Sequence, residues 1–412
     1  MLILMAFRNL WRNTRRTAIT LFSIGFGLML SLIFTGIGDS GYGRLIEGAS
    51  RMGMGHVALI PRGYLDTPSI DKRFDVPSDL IGRIQVMSRV TAVRERITGQ
   101  AMVATANDSA GAAFMAIDPG TETPETLYFM DFLESGALFD PKNRIGIVIG
   151  RNMADRLRVD IGGKVVYTLT DVQGEIISGL ARVSGIFRTG VLQVDNYFVL
   201  LPIDTLRDLI GYTSREVTHL AVFLEDHAAS RSIRSRIQAC VDEIPGAEAV
   251  TWRDAMPDIA GLIAMDQSSN YLFQLIIFLL ISAGILNTIL MSVLERKREF
   301  GILLAVGISP LRLFSLIMLE AGWLCIFGLI AGLLLTAPVY GYLHSTGIDL
   351  TAMFTEKPDV GGVLFDPTIH ADLRPISLAV ILTVAAALIL LSGIYPAWKA
   401  SRVMPVEAIQ SA

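Results

Sequence analysis

The chain of 412 residues is 52% hydrophobic, and its mean hydropathy of +0.51 is higher than that of a typical soluble protein. Charged residues make up 18% of the chain, and the formal net charge of −4 gives no reason to expect a nucleic-acid partner. The two cysteines, Cys240 and Cys325, lie in segments of different character and are not expected to pair. The composition therefore predicts membrane-spanning helices combined with a large polar module.

The beginning of the chain is basic and contains no acidic residue before the first long apolar run. Apolar side chains alternate with arginines at helical spacing, which predicts a cytoplasmic amphipathic helix over residues 1–16 in the inner-leaflet interface. In this prediction Trp11 lies at headgroup depth, and three arginines face lipid phosphates: Arg12, Arg15 and Arg16. The alternative is a positive-inside signal without a defined helix.

Four charge-poor runs are long enough to cross a hydrocarbon core of ~30 Å as helices. They predict transmembrane helices over residues 17–38, 271–294, 313–342 and 376–398. Lysine and arginine are concentrated before the first run, in the turn between the second and third, and after the fourth. Because basic residues are retained on the inner side, both termini, the turn 295–312 and the tail 399–412 are predicted to be cytoplasmic.

Residues 39–270 have the pattern of an α/β module and are predicted to lie outside the membrane. Short β-rich runs occur at 56–60, 164–170, 197–202 and 220–224, and helical patterns occur at 78–89 and 228–241. Residues 343–375, rich in Asp, Gly and Pro, are predicted to form a small extracytoplasmic loop.

The turn after the second span changes abruptly from apolar to charged residues, and a second apolar run follows the charges. Its sequence, ERKREFGILLAVGISP, predicts a short helix that ends at Gly307, after which Ser309 and Pro310 begin the next helix. Such a turn can be a solvated loop. The preferred interpretation is that its apolar side chains bury in a groove of a partner protein: Phe300, Ile302, Leu303, Leu304 and Val306.

This turn also resembles the coupling segment of FtsX/MacB-type ABC permeases, whose pattern is close to E-[KR]-x-[KR]-E-[FI]-G-x-L-x-A-x-G. In that family the segment inserts into the ATPase subunit. The resemblance implies a role in ATPase coupling for the matching positions, which are Glu295, Arg296, Arg298, Glu299, Gly301, Leu303, Ala305 and Gly307.

The resemblance covers nearly the whole chain. The opening AFRNLWRNTRRT resembles the start of the same permeases, and the stretch beginning IGIVIGRNMADRLRVDIGG resembles their extracytoplasmic core. The family's closing motif is matched by Pro396, Ala397, Ala400, Pro405, Ala408 and Ile409. The fold implied is a membrane α-helical protein with four transmembrane helices and an α/β extracytoplasmic domain of two subdomains, similar to the MacB periplasmic core. In the family, stalk helices that continue the first two spans hold this domain, and the resemblance implies such stalks here at 41–51 and 252–270.

The sequence contains no phosphate-cradling GxxxxGK[ST] loop. The chain is therefore predicted not to be an enzyme and to bind no cofactor, with ATP and Mg²⁺ held by a separate ATPase subunit. This departs from MacB, whose ATPase is fused, and favours stand-alone permeases of the LolC/LolE type. The GDSG at 38–41 lacks the upstream His and Asp of a protease, and the histidines lack metal-ligand spacing, so neither a catalytic nor a metal site is predicted.

Glu320 lies well inside the third predicted span, where a charge is costly. It is expected to face the protein interior and to bond Asn287 or Thr288 of the preceding helix. It can act as a static interhelical hydrogen bond, as a polar latch that changes partner, or as a substrate-lining group. Small residues four apart predict close helix packing within the subunit or in a dimer, at Gly328 with Gly332 and at Ser23 with Gly27.

The composition indicates only the topology. The resemblance implies a permease subunit of an ABC transporter in a bacterial inner membrane, which transmits the motion of a separate ATPase to its periplasmic domain. Lipoprotein release is the preferred activity. The alternatives are MacB-like efflux of small molecules or peptides, and FtsX-like regulation of a cell-wall hydrolase. The expected partners are the ATPase, a second identical or homologous permease subunit, membrane lipids, and either a lipoprotein cargo with its carrier or a periplasmic adaptor.

Overall fold

The computed structural model describes residues 2–139, 145–241, 244, 246–349, 359–360, 363–364 and 368–403. The chain divides into two compact units. The helical unit contains residues 1–41, 264–349 and 368–412, and the α/β unit contains residues 42–263 and 350–367.

A 3-10 turn at Trp11–Asn13 follows the first of the described helices. In chain order these helices are α1 (Leu2–Leu10), α2 (Thr14–Arg51), α3 (Leu80–Gln85), α4 (Arg151–Leu157), α5 (Leu192–Tyr197), α6 (Ile203–Ile210), α7 (Ser230–Val241), α8 (Trp252–Ala255), α9 (Pro257–Glu295), α10 (Lys297–Ala305), α11 (Pro310–Ser345) and α12 (Pro375–Ser401).

Four helical stretches are long and apolar enough to cross a membrane: Leu2–Arg51, Pro257–Glu295, Pro310–Ser345 and Pro375–Ser401. Each contains one of the four predicted spans, so the number and order of the apolar helices are as expected. The helix predicted over 1–16 is instead interrupted by the 3-10 turn. Thr17 Oγ1 donates a hydrogen bond of 2.6 Å to the Leu10 carbonyl at the end of α1, a local bond that periodicity does not reveal.

Glycine allows α2 to approach α11 closely. A Cβ at Gly332 would lie 2.5 Å from Leu28 Cδ2, and one at Gly328 would lie 2.6 Å from Ile24 Cγ2. At Gly27 a Cβ would lie 2.2 Å from Ile281 Cδ1 of α9. Gly328 and Gly332 therefore pack within the subunit, as does Gly27 of the second predicted pair, because these backbones meet where a side chain does not fit. Ser23 is exposed and donates to the Ile19 carbonyl of its own helix.

The GDSG segment at 38–41 belongs to α2 and contributes to helix packing. Asp39 Oδ2 accepts hydrogen bonds from Ser377 Oγ at 2.7 Å and from the Arg374 backbone N–H at 3.4 Å, at the beginning of α12. A carboxylate at this position complements the positive end of the helix dipole.

The described strands are β1 (Val57–Pro61), β2 (Phe74–Asp75), β3 (Val90–Ala104), β4 (Ser109–Ile117), β5 (Leu133–Gly136), β6 (Gly146–Gly150), β7 (Lys164–Thr170), β8 (Ile176–Phe187), β9 (Phe198–Pro202), β10 (Glu216–Val217), β11 (His219–Leu224), β12 (Ala247–Thr251), β13 (Ile348–Asp349), β14 (Asp359–Val360), β15 (Val363–Leu364) and β16 (Thr368–Ile369). The last four form two short antiparallel pairs, β13 with β16 and β14 with β15, within the predicted loop 343–375. The rest of that prediction falls on 350–358, 361–362 and 365–367, which lie outside the described residues.

One long strand joins two hydrophobic cores in the α/β unit. The sheet order is β12-β1-β11-β3-β4-β9-β6-β8-β5, and β7 pairs with β3 and β8. The first half of β3 pairs with β11 and its second half pairs with β4. Val93 packs in the core covered by α3 and α7, whereas Ile97 and Val103 pack in the core covered by α4 and α6. The two-subdomain prediction is confirmed, and β3 is the element they share.

The predicted strands at 56–60, 164–170, 197–202 and 220–224 correspond to β1, β7, β9 and β11. The helix predicted at 78–89 is shorter, because α3 ends at Gln85. The predicted stalk at 252–270 begins with α8 and continues, after a break at Met256, in α9. The prediction missed several strands, including β3 and β4, whose small and polar residues do not form a strongly apolar run.

A charged cluster is buried where β3 approaches the end of the first stalk. Arg96 is fully buried and donates to both Glu122 oxygens at 3.1 and 3.2 Å and to the Gly53 carbonyl at 2.9 Å. His219 Nε2 lies 3.3 Å from the same carbonyl. Burial, together with the nearby charge of Arg96, lowers the pKa of His219 to about 3, so this histidine is neutral in the folded unit.

The close crossing predicts opposite effects for two glycines of α11. Gly332→Ala should lower the melting temperature of the detergent-solubilised protein, because the new methyl group meets Leu28. Gly322→Ala is the matched control, since a Cβ there meets nothing within 4 Å and alanine favours helix by about 0.5–1 kcal/mol. Equal melting temperatures for the two variants would contradict the crossing.

The neutral His219 predicts a loss of stability in acid. Its pKa is lower in the folded state than in the unfolded state, so its contribution is fully present above the unfolded pKa of 6.5 and is lost as pH falls toward about 3. The slope for this single group is at most about 1.4 kcal/mol per pH unit. Thermal unfolding of the full-length protein at about pH 7.5 and about pH 5 should show a smaller difference in His219→Gln than in wild type. An unchanged difference would show that His219 is not a source of the acid sensitivity.

Candidate coupling site

The turn between α9 and α11 has the predicted local structure. α9 ends at Glu295, α10 occupies Lys297–Ala305, and Gly307 adopts a φ of +101°. The Gly307 N–H donates to the Leu304 carbonyl at 3.1 Å, and the Ile308 N–H donates to the Leu303 carbonyl at 3.0 Å. These two bonds form a Schellman motif, which requires the left-handed conformation that glycine adopts without strain.

The next helix begins as the sequence indicates. Ser309 has an extended backbone with φ −67° and ψ 147°, and Pro310 is the first helical residue of α11. The Ser309 carbonyl accepts from the N–H groups of Arg312 and Leu313 at 2.9 and 3.2 Å. Proline suits this position because its fixed φ matches the helix and its missing N–H is not needed there.

One face of α10 is buried in the chain itself. Phe300 is fully buried in a cluster that includes Leu313, Leu316, Ala397 and Ala400, and Gly301 is also buried. Leu303 and Leu304 are half-buried against the same cluster. The expectation that Phe300 enters a partner groove is therefore wrong, because α11 and α12 already cover this ring.

The opposite face of α10 is exposed. Ile302 is 48% exposed and Val306 is 80% exposed, and Arg298 and Ala305 are exposed beside them. These four residues lie on one side of the helix because they are spaced at i, i+4, i+7 and i+8. We call them the exposed stripe. It is the apolar part of α10 that remains available to another protein.

Glu320 has partners that the sequence did not indicate. Its Oε1 accepts from Asn9 Nδ2 at 2.8 Å and from an Arg296 guanidinium nitrogen at 2.9 Å. The expected partners are wrong: Asn287 is exposed, and Thr288 bonds Thr20 of α2 at 3.1 Å. The reason is that α1 packs on α11 and brings Asn9 to the carboxylate from the other end of the sequence.

The Arg296 guanidinium lies between the carboxylates of Glu299 in α10 and Glu320 in α11. It is 9% exposed, donates through Nε to Glu299 at 3.2 Å, and lies 4.9 Å above the centre of the Phe300 ring. A buried guanidinium is costly unless its charge is paired, and here two carboxylates and an aromatic face surround it.

Two arginines predicted to face lipid phosphates instead bind acids of the turn. Arg12 contacts both Glu299 oxygens, at 3.0 and 2.7 Å, and Arg16 contacts both Glu295 oxygens, at 3.0 and 2.5 Å. A planar guanidinium matches a carboxylate in this two-bond geometry. The hydrogen bond from Arg12 holds the pKa of the Glu299 carboxyl below its usual range, so this group stays ionised near neutral pH.

The other predicted interface residues remain at the surface. Arg15 is exposed, and Trp11 is 47% exposed with its ring 6.3 Å from that of Phe327. Their proposed contact with lipid stays a prediction. In the closing motif, Pro396, Ala397 and Ala400 lie on α12, and the predictions for Pro405, Ala408 and Ile409 fall outside the described residues.

Asn9 was not predicted as a partner of any group, and Arg12 and Arg16 were assigned to the wrong partners. A charge count offered no signal for these partners, because basic residues outnumber acidic ones in residues 1–16 and 295–299 taken together. Among the residues that the structure describes, no group of three or more His, Cys, Asp or Glu is placed to hold a metal ion.

The buried pair of Arg296 and Glu320 predicts that removing one of the two charges lowers the free energy of unfolding more than removing both. Arg296→Met leaves Glu320 with Asn9 as its remaining partner, and removal of one member of a buried pair typically costs about 3–5 kcal/mol. The double variant Arg296→Met with Glu320→Leu should be more stable than Arg296→Met, as measured by thermal unfolding in detergent. Arg298→Met, an exposed arginine of the same turn, is the control and should unfold like wild type. A double variant less stable than the single one would argue against this pair.

Two family models match this chain. One, described as MacB-like periplasmic core domain, matches residues 17–239, more than half of the chain. The other, described as FtsX-like permease C-terminal, matches residues 271–405, which include the exposed stripe, Arg296 and Glu320.

The chain is also similar to curated permeases. It is 23% identical to the lipoprotein-releasing system transmembrane protein LolC of Neisseria meningitidis, over 84% of this chain and 83% of that protein. It is 22% identical to an uncharacterized ABC transporter permease of Methanocaldococcus jannaschii, over 99% of this chain and 97% of that protein. It is 22% identical to the macrolide export ATP-binding/permease protein MacB of Agrobacterium fabrum, over 98% of this chain but 60% of that protein.

The chain is 23% identical to the LolC of Xylella fastidiosa, over 64% of this chain and 64% of that protein. Among solved structures, the periplasmic region of MacB from Actinobacillus actinomycetemcomitans is similar, at 12% identity and a TM-score of 0.34, over 51% of this chain and 94% of that one. The two family models together account for both the α/β unit and the apolar helices that follow it. The chain belongs to the FtsX/MacB-type family of ABC transporter permeases.

Proposed function

We propose that this chain is a permease subunit that couples a separate ATPase to its periplasmic domain through the exposed stripe of α10. The observation that carries this proposal is the two-sided character of α10. Phe300 anchors one face within the chain, and Ile302 and Val306 on the other face are apolar and uncovered. Such a helix can enter a groove of a partner and pass force to the helices on which it is packed.

The ATPase partner follows from family membership, and its separation from this chain is part of the proposal. Its support is the similarity to LolC over 83% of that protein, whereas the match to the ATP-binding/permease protein MacB covers 60% of that protein. ATP and Mg²⁺ are then held by the partner, and this chain binds no cofactor. The family also implies a dimer of permease subunits, and whether the second subunit is identical or homologous is left to experiment.

We place the exposed stripe, both termini and the tail in the cytoplasm of a bacterial cell, and the α/β unit in the periplasm. The support is the concentration of basic residues at the chain's beginning, at the turn and after α12. The spans proposed are 17–38, 271–294, 313–342 and 376–398. The helices α2 and α9 each contain a proposed span and extend beyond it to Arg51 and from Pro257, which makes them the covalent route toward the periplasmic domain.

For the cargo we propose a lipoprotein that is released from the membrane. The support is the similarity to LolC over most of both chains and the lack of an ATPase motif in this sequence. The second candidate is efflux with a periplasmic adaptor, favoured by the match to the MacB-like periplasmic core domain. Photo-crosslinkers in α2 between residues 42 and 51 should capture an acylated protein in the first case. Capture of an adaptor without an acylated protein would instead favour efflux over lipoprotein release.

The exposed stripe predicts a binding defect without a folding defect. Val306→Asp should abolish co-purification of the ATPase, because a carboxylate replaces an apolar group that must be buried in the partner. The melting temperature of the permease alone should not change, since Val306 is 80% exposed. Gly301→Asp is less suitable, because Gly301 is buried in this chain.

The matched control is Val86→Asp, which makes the same change at an equally exposed valine of the α/β unit. It should retain the ATPase. A stable complex of Val306→Asp with the ATPase would refute docking through this stripe.

A further inference from the structure

We propose that residues 2–16 are a working part of the coupling device, acting as a clasp that joins α2 directly to the turn that meets the ATPase. We call this segment the N-terminal clasp. Its positioning residues are Asn9, Arg12 and Arg16. The inference rests on the proposed function. It adds a route by which force passes from the turn to α2 through side-chain contacts.

The polar contacts form a closed circuit that begins and ends on the N-terminal clasp. Arg12 binds Glu299, Glu299 binds Arg296, Arg296 binds Glu320, and Glu320 binds Asn9, with donor–acceptor distances between 2.7 and 3.2 Å. Glu299, Arg296 and Glu320 each contact two partners, and Arg12 and Asn9 close the circuit through the backbone of the clasp. Displacing α10 therefore perturbs the whole circuit, and its bonds are stronger than neutral ones because most are charge-assisted.

Apolar packing fixes the clasp to α11. Ala6 and Leu10 are buried in the same cluster as Phe300 and Leu313. The ring centres of Phe7 and Trp323 are 5.4 Å apart, and Trp323 Nε1 donates to the Ile3 carbonyl at 3.4 Å. This segment therefore does not lie freely on a lipid surface, and its arginines are held where the acids of the turn can reach them.

A second connection ties the beginning of α2 to the end of α9. Arg16 binds both oxygens of Glu295, the last residue of α9. One helical turn further into α2 and two turns further into α9, Thr20 Oγ1 lies 3.1 Å from Thr288 Oγ1. The helix α2 is distant in sequence from the turn 295–312, so these side chains join α2 to the end of α9 directly, in addition to its apolar packing on α9 and α11.

The charges of this assembly balance. Arg12, Arg16 and Arg296 carry three positive charges, and Glu295, Glu299 and Glu320 carry three negative charges. Reversing one charge of a pair places two like charges together, whereas exchanging both members restores the attraction with the same two side-chain types. The arrangement is thus suited to a charge-exchange experiment.

The test uses the full-length permease with its co-purifying ATPase in lipid nanodiscs. The variants are Arg16→Glu, Glu295→Arg and the exchanged double variant, with the corresponding set at Arg12 and Glu299. The readouts are the amount of bound ATPase and the change in hydrogen exchange of residues 42–263 on adding ATP with vanadate. Arg15→Glu is the matched control, because it reverses an exposed arginine outside the circuit.

We expect Arg12→Glu and Arg16→Glu, which lie outside the turn that meets the ATPase, to retain the ATPase but to reduce the ATP-dependent change in exchange by about fivefold, the upper range for one exposed pair. Glu295→Arg and Glu299→Arg should show the same reduction when the change is normalised to the amount of bound ATPase. Each exchanged variant should restore at least half of the change, and Arg15→Glu should behave as wild type. If a single reversal does not fold, Arg16→Gln and Arg16→Lys replace it, with loss expected in the first and retention in the second.

Two results overturn the clasp while leaving the proposed function intact. One is a full ATP-dependent change in the single reversals with the ATPase bound. The other is failure of the exchanged variants to recover although they fold and bind the ATPase. A wild-type permease that captures no ATPase would instead refute the proposed function itself, and the clasp with it.

Discussion

The carboxylate of Glu320 is the group on which the arrangement of the helical unit depends. It lies in an apolar helix, where an ionised group is stable only with a partner of opposite charge and a further hydrogen bond. Arg296 supplies the charge and Asn9 supplies the hydrogen bond. Asn9 lies on α1 and Arg296 lies in the turn just before α10. Bonding to the one carboxylate of Glu320 therefore fixes the positions of α1 and α10 on α11.

This constraint explains why α10 differs on its two sides. Its inner side carries Phe300 beneath the Arg296 guanidinium and against the helices α11 and α12. Its outer side carries Ile302 and Val306, which nothing described in this chain covers. The proposed docking of an ATPase on α10 requires both an apolar contact surface and a rigid base. Here the base is built from an aromatic ring and a balanced set of charges.

In the α/β unit, too, a buried charged residue connects segments that are distant in sequence. Arg96 on β3 joins Glu122 of a loop and the Gly53 carbonyl near the end of α2, and β3 itself runs through both hydrophobic cores. The neutral His219 shares the Gly53 carbonyl. Within the α/β unit, polar contacts therefore join β3 to the end of α2, whereas each subdomain has its own apolar core.

The sequence by itself determined the features that arise from local chemistry. Four apolar runs, the glycine terminator of α10, the proline start of α11 and strands such as β7 follow from hydropathy, φ preferences and short-range alternation, which act over a few residues. The tertiary structure alone decided the partners of Glu320, Arg12 and Arg16, the burial of Phe300 and the path of β3. These features depend on contacts between segments up to 311 residues apart in sequence, as for Asn9 and Glu320. Contacts over such separations produce no periodic pattern from which they could be predicted. A basic residue near a membrane can face a phosphate or a carboxylate with similar energy, and only the packing of α1 on α11 selects the carboxylate.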